Sequence, residues 1–137
     1  MSNKHILIIG TGSVGMRHGR NLTSLGATVS GMDPRDDRRA AFVDEFTTAA
    51  YPTLEDALAA GGFDGVAVCS PTRFHVEQCI PALEAGLPVL LEKPVAKTLD
   101  EAQALAAALA RTGTPLLLGY TWRWWPPLAR VRELLAA

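Results

Sequence analysis

Residues 8–15 read IIGTGSVG. The isoleucines close a short apolar run, HILIIG at 5–10, and Gly10, Gly12 and Gly15 follow in the spacing G-x-G-x-x-G. A helix-forming stretch at about 14–25 comes next. Strand, glycine turn, helix is the order in which a parallel βα unit begins, and that order gives the glycine spacing its weight.

Four more apolar runs repeat the pattern of the first: ATVSGMD at 27–33, GVAVCS at 65–70, PVLLEK at 88–93 and PLLLGY at 115–120. Each is nearly all apolar instead of alternating, as strands buried on both faces are. Helical stretches at about 35–46, 53–60, 73–85 and 99–111 separate them, and TTAAY at 47–51 supplies one further short strand. Thr53 and Thr98 are each followed three residues later by an acid, Asp56 and Glu101, which marks two helix starts. Gly26, Gly61, Gly86 and Gly113 sit where helices should end. Strands separated by helices cannot pair as hairpins, so crossovers join them. The fold class is α/β: a Rossmann-type, doubly wound, mostly parallel sheet with helices on both faces.

Composition agrees with one such domain. A chain of 137 residues with 48% hydrophobic content builds a single core. Thirteen basic residues against fourteen acidic ones, net −1, provide no electrostatic footprint for nucleic acid. No apolar window is long enough to span a membrane. Cys69 and Cys79 fit neither a metal site nor a redox pair and read as two small buried thiols, so no metal is expected. The chain reads as a soluble cytoplasmic protein.

The glycine loop has a specific chemistry. Gly10 permits the tight turn, Gly12 lets backbone approach a pyrophosphate, and Gly15 lets the helix pack close to the sheet. Free amides across Thr11, Ser13 and Val14, with the positive end of the helix dipole, then hold the phosphates. Asp33 closes the second strand 18 residues after Gly15, where a carboxylate accepts hydrogen bonds from an adenosine ribose. Such an acid repels a 2′-phosphate, which favours NAD over NADP. Arg35, Arg38 and Arg39 follow it, and an arginine there accommodates that phosphate, so NADP stays open. FAD and S-adenosylmethionine use similar loops and stay open as well. As a bare turn residue, Asp33 would simply precede Pro34.

Ligands of open α/β sheets bind beyond the carboxyl ends of the strands. Ser70, Pro71 and Thr72 stand at one such end with His75 a turn on; Glu92, Lys93 and Pro94 stand at another. A lysine near a cationic nicotinamide in a partly dry crevice would have its ammonium disfavoured and could exchange a proton with a substrate hydroxyl. From spacing alone, an exposed lysine paired with a neighbouring acid is the commoner case. His18, in the first helix, and His5, entering the first strand, read as structural.

Taken together, GTGSVGMRHGRNL at 10–22, Asp33, SPTRFH at 70–75, ALEAGLPVLLEKPVAKTLDEAQAL at 82–105 and GYTWRWWPPL at 119–128 resemble the N-terminal domain of the glucose-fructose oxidoreductase, inositol dehydrogenase and MocA (Gfo/Idh/MocA) family. The resemblance covers essentially the whole chain, and EKP after its strand is the most specific part. It implies an NAD(P)-dependent oxidoreductase acting on sugars, cyclitols and related hydroxy compounds. It implies that Lys93 is the active-site lysine, that the Lys93–Pro94 peptide is cis, and that Ser70–Thr72 with His75 border the nicotinamide. Glu92 and Arg123 also fall at family positions. Family members continue into a second domain that supplies most of the substrate pocket.

Residues 1–121 are therefore expected to form the dinucleotide-binding domain. Residues 122–137 would form a Trp-rich crossover and a terminal helix leading to a second domain that this chain lacks. Trp122, Trp124 and Trp125 are expected in part to fold back on the sheet and otherwise to serve self-association. A stand-alone, non-catalytic NAD(H)-binding module acting through association is the alternative, and an assembly protein with an empty loop is a third.

Overall fold

The protein is described from a computed structural model over residues 3–136. Six parallel strands form one sheet: β1 (His5–Ile9), β2 (Thr28–Met32), β3 (Ala50–Tyr51), β4 (Gly65–Val68), β5 (Val89–Leu91) and β6 (Leu116–Leu118), in the spatial order β3-β2-β1-β4-β5-β6. The helices are α1 (Ser13–Ser24), α2 (Asp36–Phe46), α3 (Leu54–Ala60), α4 (His75–Glu84), α5 (Leu99–Thr112) and α6 (Pro126–Ala136). The order reverses between β1 and β4, which is where a doubly wound sheet opens a crevice.

Strand pleat sorts the apolar side chains onto two faces. Leu7, Ile9, Val66, Val68, Val89 and Leu91 point to one face, where they pack with Leu54 and Ala57 of α3, Cys79 and Leu83 of α4, and Leu105 and Ala108 of α5. Ile8, Val29 and Ala67 point to the other, against Phe42 of α2 and Met16 and Leu22 of α1. Local signals set the helix limits. The Thr53 and Thr98 hydroxyls accept from the amides of Asp56 and Glu101, at 3.1 and 3.2 Å. Gly61 and Gly113 then end those helices at positive φ.

Burial on both faces holds for β1 and β4 but fails for β6, where Leu117 is 61% exposed. The cause is topological. Helices α3, α4 and α5 all lie on one face, whereas α1 and α2 cover the other face from β3 only as far as β4 and leave its β6 side open. Ile6, Ala67, Leu90 and Leu117 consequently line an open apolar groove of about 340 Å³ at the amino-terminal side of the sheet, away from the glycine loop. The last helix does not fill it, because α6 packs chiefly against the 3-10 turn before it, Thr121–Trp124. No helix among the described residues is long and apolar enough to cross a membrane.

Candidate cofactor site

Register builds the site. Ile9, Met32, Val68, Leu91 and Leu118 lie in one row across the sheet, so the residues that follow them, Gly10, Asp33, Cys69, Glu92 and Gly119, form its carboxyl rim. The amides of Gly10, Cys69, Glu92 and Gly119 still bond to the preceding row, which holds the rim rigidly at 2.7–3.0 Å.

At Gly10 the chain turns with φ +89°, and a Cβ there would stand 2.7 Å from the Ser70 backbone. A Cβ on Gly15 would meet the Gly10 carbonyl at 2.0 Å. Both positions therefore exclude a side chain. Helix α1 begins at this turn with no side-chain cap and no acid in its first turn, so the amides of Ser13, Val14 and Gly15 are open to an external acceptor. Thr11 is 3% exposed, and its hydroxyl is buried with no hydrogen-bond partner. Open amides, an orphaned hydroxyl and glycine clearance fit a pyrophosphate at this loop.

Asp33 is 2% exposed. Its Oδ2 accepts from the Thr11 amide at 3.0 Å and from an Arg38 guanidinium N–H at 3.3 Å, and its Oδ1 accepts from the Arg35 amide at 3.0 Å. The carboxylate thus ties β2 to the glycine loop. Arg35 contributes its backbone here, while its guanidinium turns outward to Asp37. Arg39 holds the Asp33 carbonyl at 2.8 Å. Arg38 is the arginine that reaches the carboxylate, and it lies 3.5 Å from where a Gly12 Cβ would be.

Two loops complete the crevice. After β4, Ser70 donates its hydroxyl to Gln78 at 2.6 Å, and Pro71 leads into a 3-10 turn, Thr72–Phe74. His75 opens α4 with its ring 1% exposed; its Nδ1 lies 2.8 Å from the Pro94 carbonyl and its Nε2 2.9 Å from the Ser70 carbonyl. Neither ring nitrogen is left for a ligand. After β5, the Lys93–Pro94 peptide is cis and Lys93 is exposed. Glu92 accepts from the Lys93 amide at 3.3 Å through Oε2 and meets His18 Nε2 at 2.8 Å through Oε1, with Arg17 at 4.0 Å. Burial pushes the Glu92 carboxyl up, but the His18 hydrogen bond and charge, the Lys93 amide and Arg17 together outweigh it and hold the group below its ordinary value.

His18 is the residue that sequence reasoning missed. It contacts Glu92 from 74 positions away, and the available signal was its place on α1 three residues after Gly15, on the side that must face the rim. Both thiols stay out of the chemistry. Burial pushes Cys69 and Cys79 up to about 12, the Glu92 charge assisting at Cys69. Arg123 stands in the exposed 3-10 turn beyond β6. Trp122, Trp124 and Trp125 are 70%, 74% and 51% exposed, and Trp122 packs on Trp125 at a centroid distance of 5.7 Å. Among the described residues none of the three rings is buried against the sheet.

Residues 4–120 match a family described as an oxidoreductase family with an NAD-binding Rossmann fold, Gfo/Idh/MocA. An inositol 2-dehydrogenase of Leifsonia xyli is 41% identical over 99 residues, 70% of this chain and 29% of the relative. One of Corynebacterium glutamicum is 33% identical over 134 residues, 93% of this chain and 40% of the relative. An oxidoreductase from Agrobacterium radiobacter, solved with NAD+, L-tartaric acid and magnesium, shares the fold with a TM-score of 0.90 over 98% of this chain and 40% of its own, at 24% identity. Apo scyllo-inositol dehydrogenase from Lactobacillus casei superposes equally well, TM-score 0.90, at 22% identity, over 98% of this chain and 41% of its own. The chain spans two fifths or less of the two inositol 2-dehydrogenases.

Proposed function

This chain belongs to the Gfo/Idh/MocA oxidoreductase family through its NAD-binding Rossmann fold, and from that premise we propose that it is the cofactor-holding part of a dehydrogenase for a sugar, cyclitol or related polyol. The observation that carries the reading is the glycine loop, where the uncapped start of α1 and the orphaned Thr11 hydroxyl lie beside the buried Asp33. The amides of Ser13, Val14 and Gly15 hold the pyrophosphate, with Gly10 and Gly12 giving clearance. Asp33 takes the adenosine ribose and sets the preference for NAD. Ser70, Pro71 and Thr72 border the nicotinamide from one side, and Glu92 and Lys93 from the other. His75 supports that border from beneath, and Arg123 closes it at the end of β6.

NAD, when bound, supplies the oxidising equivalent. Lys93 takes the proton from the substrate hydroxyl as the carbon is oxidised, and returns it in the reverse direction. Glu92, kept anionic, turns the Lys93 backbone toward the crevice. Substrate contacts come from outside residues 3–136, from a second domain or a partner chain, with residues 1–121 as the cofactor unit and 122–137 as the crossover toward it. The dehydrogenase names of the relatives favour this reading over a non-catalytic binding module. The exposed tryptophans serve association, and the free thiols and nicotinamide chemistry suit the cytoplasm.

Turnover tests the catalytic part. Nicotinamide reduction is followed with inositols and sugars, using this chain joined to or mixed with a candidate second domain. Lys93→Ala is expected to lower kcat by about 10²–10⁴, the usual range for a positioned acid–base group. An unchanged kcat would remove Lys93 from the chemistry.

A further inference from the structure

Among the described residues the Lys93 ammonium has no hydrogen-bond or ion-pair partner and only its amide is engaged, by Glu92, yet the residue on each side of it is held by a histidine from a different helix. Before it, the Glu92 carboxylate meets His18 of α1 at 2.8 Å, and both side chains are mostly buried, 14% and 18% exposed. After it, the Pro94 carbonyl meets His75 of α4 at 2.8 Å. The two helices lie on opposite faces of the sheet: α1 packs with Ile8 and Ala67, α4 with Val68 and Leu91. We propose that His18 and His75 form a two-sided clamp that positions Lys93 and links it to the two halves of the cofactor crevice. Resting on the functional reading above, the clamp gives these histidines a role in that site through Lys93.

Each arm does a separate job. His18 stands one turn beyond Gly15, so its bond to Glu92 fixes the distance between the phosphate-holding start of α1 and the lysine rim. Glu92 passes the constraint on, because its second oxygen accepts from the Lys93 amide at 3.3 Å. Gly119 lies beside this carboxylate, where a Cβ would touch Oε2 at an ordinary 3.4 Å and crowd the Leu91 carbonyl at 3.2 Å. His75 stands between the two rim loops, one nitrogen 2.8 Å from the Pro94 carbonyl and the other 2.9 Å from the Ser70 carbonyl; a neutral ring donates to one of these oxygens, the imidazolium to both. Movement of the β4 loop is thereby transmitted to the backbone after Lys93. A substituent that keeps an N–H at the right point should keep the clamp, and an isosteric apolar one should release it.

The chain has three lysines, Lys4, Lys93 and Lys97, so reductive ¹³C-methylation yields a spectrum in which Lys93 can be assigned with Lys93→Arg. Without ligand, ¹⁵N relaxation of the Lys93 and Val95 amides is expected to give order parameters near ~0.85 in the parent chain, His18→Gln and His75→Asn, and below ~0.6 in His18→Leu and His75→Leu. With saturating NAD, the methylated Lys93 signal is expected to shift in the first three proteins. In both Leu variants at least three quarters of that shift should vanish, and in His18→Leu the calorimetric Kd for NAD should stay within about threefold, a difference below ~0.7 kcal/mol. Folded Leu variants with unchanged order parameters and a full Lys93 shift would overturn the clamp. Failure of the parent chain to bind NAD would overturn the functional reading instead, with the ligand-free order parameters still deciding the clamp. Should His75→Leu not fold, His18→Leu, at a helix position with partial exposure, decides the matter.

Discussion

Gly15 and Gly12 occupy one loop, but only one of them is needed for folding. A methyl at Gly15 would collide with the Gly10 carbonyl at 2.0 Å, whereas one at Gly12 would meet the flexible end of Arg38 at an ordinary 3.5 Å. Gly15→Ala is expected to cost about 2 kcal/mol or more in urea unfolding, in the range of overpacking. Gly12→Ala should unfold like the parent chain and lose at least tenfold in NAD affinity. At the adenosine end, Arg38→Ala removes the guanidinium that, among the described residues, bonds to the Asp33 carboxylate. NADP binding should weaken about tenfold more than NAD binding, ~1.4 kcal/mol. Glu92 adds a pH signature. Its folded carboxyl titrates below the unfolded value, so the unfolded chain binds more protons in between and stability falls as pH drops from ~4.3 toward the folded value. Glu92→Gln should flatten that acid limb in denaturant titrations carried downward from pH ~4.3, relative to the parent chain. Gly10, Asp33, Ser70, Glu92 and Lys93 were placed at the rim from sequence because each follows an apolar run directly. His18 was not, because a contact across 74 residues leaves no local pattern.

Helices with a threonine start and a glycine stop were legible nearly to the residue, since caps are local chemistry: α3 and α5 begin after Thr53 and Thr98 and end before Gly61 and Gly113. Thr98→Ala should cost about 1 kcal/mol. Even the two-residue β3 was visible in TTAAY. The environment of β6 was not, because an apolar run does not record which of its faces a helix will cover. Leu91 is fully buried and Leu117 is 61% exposed, although both sit in equivalent runs. Leu91→Ala is therefore expected to cost about 2–5 kcal/mol, and Leu117→Thr less than about 0.5 kcal/mol. A large cost at Leu117 in urea unfolding would mean that something covers that face in solution.

For the whole molecule, the doubly wound parallel sheet and a crevice at its carboxyl ends followed from the alternation of strands and helices, while the strand order and the fate of the Trp-rich end did not. Aromatic composition predicted burial for part of it; the geometry beyond β6 leaves all three rings and the apolar side of α6 exposed, with Val131, Leu134 and Leu135 at 47%, 61% and 83%. A surface of that kind favours association. Sedimentation should show concentration-dependent self-association that Trp122→Ser with Trp125→Ser abolishes. The central claim, that the glycine loop and Asp33 form a working NAD site, is tested most directly by calorimetric titration of NAD and NADP into the 137-residue chain. Saturable one-to-one binding of NAD is expected, tighter than NADP and lost on Gly12→Ala. No saturable NAD binding, or binding that Gly12→Ala leaves untouched, would contradict it.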